Sequence, residues 1–322
     1  MRRACIAGIG SYLPATIVTN DDLTRTVDTT DAWIVERTGI RQRHIAGADE
    51  TCAVMATAAA RAALADAGVE AATVDAVLVA TATPDQQFPA VAVRTQAALG
   101  ANAAFGFDIS AACSGFIYAL SVADAMIRAG QVARVLVIGS EIYSRILDWQ
   151  DRATCVLFGD GAGAVLLEAR DVDGPDAPGV LSTHLHADGR LGDLLYVDGA
   201  IGQSEGSGHL IMQGREIFRH AVSHLAGAVQ ECLTANGLPI DAVDWLVPHQ
   251  ANLRIVDGVS RKLGMPRERV IVTVDRHANT SAASIPLALA EGWRDGRIQR
   301  GQLVLMEALG GGLTWGSALV RL

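Results

Sequence analysis

Phe107-Asp108-Ile109-Ser110-Ala111-Ala112-Cys113-Ser114-Gly115-Phe116 is the stretch on which the fold turns. Residues 104–109 are short and apolar, a run of small residues follows, and then Phe116, Leu120, Ala123 and Ile127 recur at spacings of three and four up to Gly130. Such a change of period reads as strand, tight junction and buried helix, with Cys113 at the junction. A thiol in the first turn of a helix faces unpaired backbone N–H groups and the positive end of the helix dipole, which favour thiolate. Ser110, Ala111, Ala112, Ser114 and Gly115 leave room for a substrate to reach the sulfur. The competing reading is a buried, inert cysteine, and the stretch alone leaves both open.

The chain of 322 residues is too long for one small core, so two subdomains or one large α/β unit are expected. Half the residues are hydrophobic and 19% are charged, so much of the chain is buried. Cys5, Cys52, Cys113, Cys155 and Cys232 are odd in number and scattered, with no C-x-x-C, which fits a reducing cytoplasm better than a disulfide scaffold or a zinc site. The start lacks the apolar core of a signal peptide, and no apolar run is long enough to span a bilayer. A net charge of −9 argues against nucleic acid as a general partner, and an acidic partner would need a local basic patch.

Strands are expected at 4–9 (ended by Gly10 and Pro14), 76–81 and 135–139, and helices at 52–67 (closed by Gly68) and 90–99. Asn20-Asp21-Asp22 is expected to cap a short helix. The glycine-rich 157–165 segment reads as a turn entering a strand; it is not G-x-G-x-x-G and no helix opens after it, which excludes a dinucleotide site. Residues 171–178 form the best linker, dividing the chain into halves 1–174 and 175–322.

The second half repeats the first. Leu64-Ala-Asp-Ala-Gly68 matches Leu233-Thr-Ala-Asn-Gly237, and Val74-Asp75 matches Val243-Asp244 before the next apolar strand. Arg128-Ala-Gly-Gln-Val-Ala-Arg134 matches Arg294-Asp-Gly-Arg-Ile-Gln-Arg300, and Gly163-Ala-Val-Leu-Leu matches Gly316-Ser-Ala-Leu-Val at the closing strands. Three matches in one order indicate a duplicated α/β unit. The Arg128 to Arg294 offset of 166 carries Cys113 onto Asn279, and an offset of 169 maps Ala80 onto His249 at a strand's C-terminal end, where open α/β sheets place their sites. Packing of the halves about a pseudo-twofold would bring Cys113, His249 and Asn279 together.

A Cys–His–Asn set suits nucleophilic acyl transfer. Hydrolysis needs the His to activate water; carbon–carbon bond formation needs donors for an enolate oxygen after a malonyl group loses CO₂, and a neutral imidazole and an amide supply them. His184 and His186 share a strand face, but no carboxylate or Cys cluster in the sequence supports a metal site there.

Six segments carry a resemblance over nearly the whole chain: residues 30–40 (TDAWIVERTGI), 108–116 (DISAACSGF), 157–164 (LFGDGAGA), 248–252 (PHQAN), 279–286 (NTSAASIP) and 310–318 (GGGLTWGSA). They are similar to the β-ketoacyl-acyl-carrier-protein synthase III family, the initiating condensing enzymes of bacterial fatty-acid synthesis. The resemblance implies the thiolase fold, an αβαβα arrangement of five layers in two pseudo-twofold-related halves, and a homodimer. It implies that Cys113 takes an acyl group from acyl-CoA, usually acetyl, and that His249 and Asn279 promote decarboxylation of malonyl carrier protein. The N–H groups of Cys113 and Gly311 would form the oxyanion hole. Trp33, Arg37, Thr38, Arg152 and Asn252 would bind CoA, and Phe88 would reach the acyl pocket of the partner subunit. No metal or other cofactor is implied.

Each assignment has a plainer rival: Trp33 as core packing, Arg37 and Arg152 as surface charges, the Gly310–Gly312 run as a tight turn. Leu309 stands where a Phe is usual in the family, which bears on the acyl pocket, and the absence of a second Cys near the C-terminal glycines favours decarboxylative chemistry over that of a true thiolase. A starter-loading condensing enzyme of a secondary pathway and a Cys-dependent thioesterase are the alternatives. For an acidic carrier protein, Arg254, Arg261 and Lys262 fall on one face of the helix expected after His249, with Arg215 and Arg219 extending it from another; the rival reading is a solvated face. Arg254 also matches a carrier-docking position of the family.

Overall fold

The structure is a computed structural model that describes residues 1–322 apart from 175 and 200–204. β1 (Arg2–Tyr12) runs straight through Gly10 instead of ending there. Gly8 and Gly10 are close-packing residues: a Cβ on either would come 2.2 or 2.3 Å from carbonyls of α3 (Cys52–Ala67). Between β1 and α3 in sequence lie the hairpin of β2 (Thr16–Thr19) and β3 (Gln42–Ile45), with α1 (Asn20–Leu23) and α2 (Asp31–Thr38). Thr19, not Asn20, caps α1; Asn20 is buried and holds the Arg43 guanidinium at 2.9 Å. α3 closes at Gly68 in the left-handed conformation, as expected.

β4 (Ala76–Ala80), α4 (Val91–Leu99) and β5 (Phe105–Ile109) lead to a 3₁₀ turn at Ala112–Ser114 and then α5 (Gly115–Arg128). β6 (Arg134–Ile142) and β7 (Asp160–Asp171) complete a sheet ordered β1-β7-β6-β4-β5. β8 (Gly179–Ala187) begins the second half, followed by the ribbon of β9 (Leu195–Val197) and β10 (Leu210–Met212), then α6 (Gly214–Ala235). β11 (Trp245–Pro248), α7 (Leu253–Leu263), α8 (Val274–His277), a 3₁₀ turn at Ser281–Ala283 and α9 (Ser284–Arg294) precede β12 (Leu303–Gly310) and β13 (Thr314–Arg321). The second sheet is ordered β11-β12-β13-β8. The expected linker joins β7 to β8 and includes position 175, which lies outside the described residues.

The sheets repeat one another. β1, β7, β6 and β4 correspond to β8, β13, β12 and β11, and a lone parallel bridge between Leu246 and Val270 stands where the first sheet has β5. The repeated aspartates act alike: Asp75 accepts from the N–H groups of Ala133 and Arg134 (2.7 and 2.9 Å), and Asp244 accepts from that of Leu303 (2.7 Å). Helices α5 and α9 share one core between the inner faces of both sheets, α3 and α4 cover the outer face of the first, and α6 and α7 that of the second. This is the five-layered αβαβα thiolase fold.

The offset that equated Cys113 with Asn279 needs correction. The ends of α5 and α9 are 166 positions apart, but their starts, Gly115 and Ser284, are 169 apart, because α5 has 14 residues and α9 has 11. Cys113 therefore corresponds to Ala282, and Asn279 lies three residues before that point.

The two central turns are held by backbone contact. At Gly139 of β6 a Cβ would lie 2.2 Å from the Ala282 carbonyl oxygen, and at Gly310 of β12 one would lie 2.6 Å from the Cys113 nitrogen. Gly139→Ala is expected to destabilise the protein by about 1–3 kcal/mol, as overpacked cores do, read as a lower urea midpoint. An unchanged midpoint would mean that β6 and the 281–283 turn have slack between them.

Candidate active site

Cys113, His249 and Asn279 line one inner cavity of about 70 Å³, walled also by Phe158, Ile255 and Leu309. An outer cleft of about 660 Å³ contains Trp33, Arg37, Thr38, Arg215, Phe218 and Arg254. Leu157, Met212, Gly214 and Asn252 line both, so the cleft leads to the thiol.

Each central residue sits on a turn fixed by its neighbours. Ala112, before Cys113, has φ 44°; Ala278, before Asn279, has φ 58°; and Ser281 has φ 49°. Left-handed backbone at non-glycine residues costs about 1–3 kcal/mol and tends to gather at functional sites. The Asn279 side-chain carbonyl accepts from the Ser281 N–H at 2.9 Å, which leaves its amide hydrogens for the cavity. His249 follows β11, its N–H donating to the Glu307 carbonyl at 2.8 Å. Its Nδ1 lies 2.6 Å from Ser284 Oγ. That oxygen also accepts from the Gln250 N–H at 3.4 Å, and a Ser284 hydroxyl that donates to Nδ1 leaves the imidazole proton on Nε2. Burial pushes the His249 pKa down to about 3, so the ring is neutral.

The thiolate expectation for Cys113 is overturned. Burial away from water outweighs the lowering effects of the Ser281 and Tyr143 hydroxyls and of the backbone N–H at Cys113, and the thiol pKa rises to about 12. The nearby Glu141 carboxyl adds to the rise.

The other expected residues divide by position. Gly311 opens the loop between β12 and β13, and Thr314 fastens that loop to the Cys113 turn by donating to the Ala111 carbonyl at 3.0 Å. The guanidinium groups of Arg37 and Arg152 both lie over the Trp33 ring, 4.4 and 4.6 Å from its centroid. The Arg152 guanidinium also donates to the Asp28 carbonyl at 2.7 Å. Thr38 is buried and its hydroxyl donates to the Ile34 carbonyl at 2.7 Å, so it backs the cleft wall. Asn252 caps α7, accepting from the Ile255 N–H at 3.0 Å. Phe88 is 82% exposed and is not among the residues lining this chain's own cavity.

Of the basic residues, Arg215 and Arg254 reach the cleft, the latter 5.6 Å above the Phe218 ring. Arg219 is paired with Glu216, Lys262 reaches Ser223 at 3.4 Å, and Arg261 lies about 10 Å farther along α7, beside Arg267 in another surface depression. Arg254, Arg261 and Lys262 all lie on α7, and of these Arg254 meets the cleft. Glu231 pairs with both His184 and His186, at 3.3 and 2.6 Å. Among the described residues, no group of three or more His, Cys, Asp or Glu is placed to hold a metal.

Sequence reasoning missed Ser281, Ser284, Tyr143 and Glu141, which surround the three central side chains. The small-polar run after Asn279 was the available signal for the serines. Nothing local marks Glu141, an acid at the end of an apolar strand that extends to Ile142, beyond the expected Gly139.

With its folded pKa at about 12, the Cys113 thiol is expected to stay protonated between about pH 6 and 9 in the free protein. Ultraviolet thiolate absorbance, taken as the difference between wild type and Cys113→Ala, checks this; a titration step near neutrality would contradict it.

Residues 107–189 match the family model described as 3-oxoacyl-[acyl-carrier-protein (ACP)] synthase III, and residues 233–322 match that of its C-terminal region. The chain is 66% identical over 321 residues to the β-ketoacyl-[acyl-carrier-protein] synthase III of Acidiphilium cryptum (strain JF-5), covering 100% of both chains. It is 63% identical over 322 residues to that of Granulibacter bethesdensis (strain ATCC BAA-1260 / CGDNIH1), again covering 100% of both. Among solved structures, 3-oxoacyl-[acyl-carrier-protein] synthase III from Aquifex aeolicus VF5 superposes with a TM-score of 0.94 at 46% identity, over 99% of this chain and 100% of the other. A buried Cys, His and Asn at the end of a cleft, on a duplicated five-layered frame, agree with these likenesses: the chain belongs to the β-ketoacyl-acyl-carrier-protein synthase III family.

Proposed function

We propose that this chain is an initiating 3-oxoacyl-acyl-carrier-protein synthase. Cys113 takes an acetyl or other short acyl group from acyl-CoA, and the acyl enzyme then condenses with malonyl carrier protein to give a 3-oxoacyl carrier protein and CO₂. The observation that carries this is the convergence of Cys113, a neutral His249 and Asn279 on one small cavity. Decarboxylation of the malonyl group leaves an enolate oxygen; the His249 Nε2–H and the Asn279 amide stabilise it while its carbon attacks the Cys113 thioester. The Cys113 thiolate leaves and regains a proton. An imidazole with a pKa of about 3 is a weak base for activating water, which disfavours the thioesterase alternative.

In this reading the Cys113 and Gly311 N–H groups hold the acyl oxygen. Trp33, Arg37 and Arg152 take the CoA adenine and phosphates, with Thr38 behind them and Asn252 along the pantetheine arm. Halves 1–174 and 175–322 supply the nucleophile and the enolate donors respectively. No step calls for a metal or a redox cofactor. The working form is a cytoplasmic homodimer: β5 is the unpaired edge of its sheet, with Phe105 and Phe107 exposed, and Phe88 protrudes, 82% exposed. No helix among the described residues is long and apolar enough to cross a membrane. The cavity's size favours a short starter, because apolar pockets discriminate single methylenes by about 1–3 kcal/mol. Leu309 on its wall sets the remaining space.

The product from acetyl-CoA and malonyl carrier protein tests the function: a 3-oxoacyl carrier protein is expected, and free acid would overturn it. His249→Ala and Asn279→Ala are each expected to lower condensation by about 10²–10³ while Cys113 still gains an acetyl group. Equal loss of both steps would assign these residues to the thiol instead. Arg254→Glu is expected to weaken condensation at low carrier concentration and to spare acetyl-CoA loading, with wild-type activity falling as salt rises. Superimposable rate curves against carrier concentration would exclude this face as the docking site.

A further inference from the structure

Acylation requires Cys113 to lose a proton, and neither the thiol, at about 12, nor His249, at about 3, suits that exchange at neutral pH. Behind the thiol, away from the cleft, lies Glu141, fully buried near the end of β6. Its Oε2 accepts from the Thr83 hydroxyl (2.6 Å), the Ala82 N–H (3.0 Å) and the Thr81 hydroxyl (3.2 Å). Among the described residues, its Oε1 accepts only from the Ser281 hydroxyl, at 3.0 Å. Ser281 Oγ also lies 3.0 Å from Tyr143 Oη, and both hydroxyls neighbour the Cys113 thiol and act to lower its pKa against the effect of burial. The Tyr143 ring is held by stacking on Phe158, 4.8 Å between centroids.

Building on the condensing reading above, we propose that Ser281 relays the Cys113 proton to Glu141 Oε1, making Glu141 a positioning residue that holds this proton between the two half-reactions. Three donors fix charge on Oε2, so Oε1 is the oxygen left to accept a proton. As the sulfur attacks the acyl carbonyl, the S–H bond breaks, its proton passes to Ser281 Oγ, and the serine's own proton passes to Oε1. The bond from the acyl carbon to CoA sulfur then breaks, and the CoA thiolate leaves and takes a proton from water. In the second half-reaction the enolate carbon displaces the Cys113 thiolate, which recovers its proton from Glu141 through Ser281. The cycle consumes one proton from solvent, as loss of CO₂ from a malonyl carboxylate requires.

The surroundings allow Glu141 both states. Burial raises its pKa from 4.5 to about 7, and the four hydrogen bonds keep it from rising further. The titratable groups facing it are the neutral thiols of Cys113 and of Cys52 on α3, and the neutral Tyr143 phenol. Asp85 acts on the same Cys52 thiol, and Asp160 of β7 is occupied by Ser144 and the Ala46 N–H. Among the described residues, no cation hydrogen-bonds to Glu141. The accepting carboxylate is therefore populated above about pH 7 and lost below it.

The test is single-turnover acetylation of Cys113 by acetyl-CoA, followed by intact mass across pH, in wild type, Glu141→Gln and Ser281→Ala. Wild-type acylation is expected to rise with pH through a midpoint near 7. Glu141→Gln is expected to slow it about 10²-fold, the lower end of what a positioned proton acceptor supplies, and to erase the midpoint. Ser281→Ala keeps the backbone N–H that orients Asn279 but breaks the relay, so it should reproduce both effects and serves if Glu141→Gln does not fold. Glu141→Asp should restore a midpoint, which a purely structural role would not. A wild-type rate and pH profile in either Glu141→Gln or Ser281→Ala overturns the relay and leaves the condensing function standing. Equal loss of acetylation and of malonyl decarboxylation assigns the network to scaffolding and also overturns the relay. A wild-type protein that gains no acetyl mass would remove the condensing function and the relay together.

Discussion

Everything at the centre of this protein depends on backbone meeting backbone. The turn bearing Cys113 is pressed by Gly310 from the second half, and the turn after Asn279 is pressed by Gly139 from the first. Neither contact leaves space for a Cβ, so each half fixes the other's functional turn. The left-handed residues Ala112, Ala278 and Ser281 sit on these turns. Their strain is offset by the shared core of α5 and α9 between the two sheets.

The same closeness removes water, and that decides the chemistry. In an exposed turn, helix-end dipoles would lower the Cys113 pKa; here desolvation wins and the thiol is neutral. His249 is neutral for the same reason, which fits it to donate a hydrogen bond to an enolate instead of shuttling protons to water. Glu141, with four donors around it, is instead left near the middle of the pH scale. A dry site also protects a thioester that must outlast the exchange of one substrate for another.

Much of this frame was legible in the sequence. The paired Val-Asp openings at 74–75 and 243–244 marked matching strands because each aspartate anchors the neighbouring strand's N–H groups. Gly68 marked a helix end because only a left-handed residue fits there. Other features depended on distant chain. Gly10 looked like a stop and is a contact with α3; the three-residue difference between α5 and α9 shifted the Cys113 equivalence. Ser284 and Ser281 are indistinguishable from other small residues until folding places one beside His249 and the other between Cys113 and Glu141. The direction of a pKa shift follows from burial, which local sequence does not report.

One thiol is held here to carry an acyl group from one substrate to another. The direct measurement is a chase: Cys113 is loaded with isotopically labelled acetyl-CoA, free CoA thioester is removed, and malonyl carrier protein is added while the Cys113 peptide and the carrier are followed by mass. The label is expected to leave Cys113 and appear on the carrier's 3-oxoacyl chain in step with CO₂ release. Label released as free acetate, or retained on Cys113 while product forms, would contradict the account.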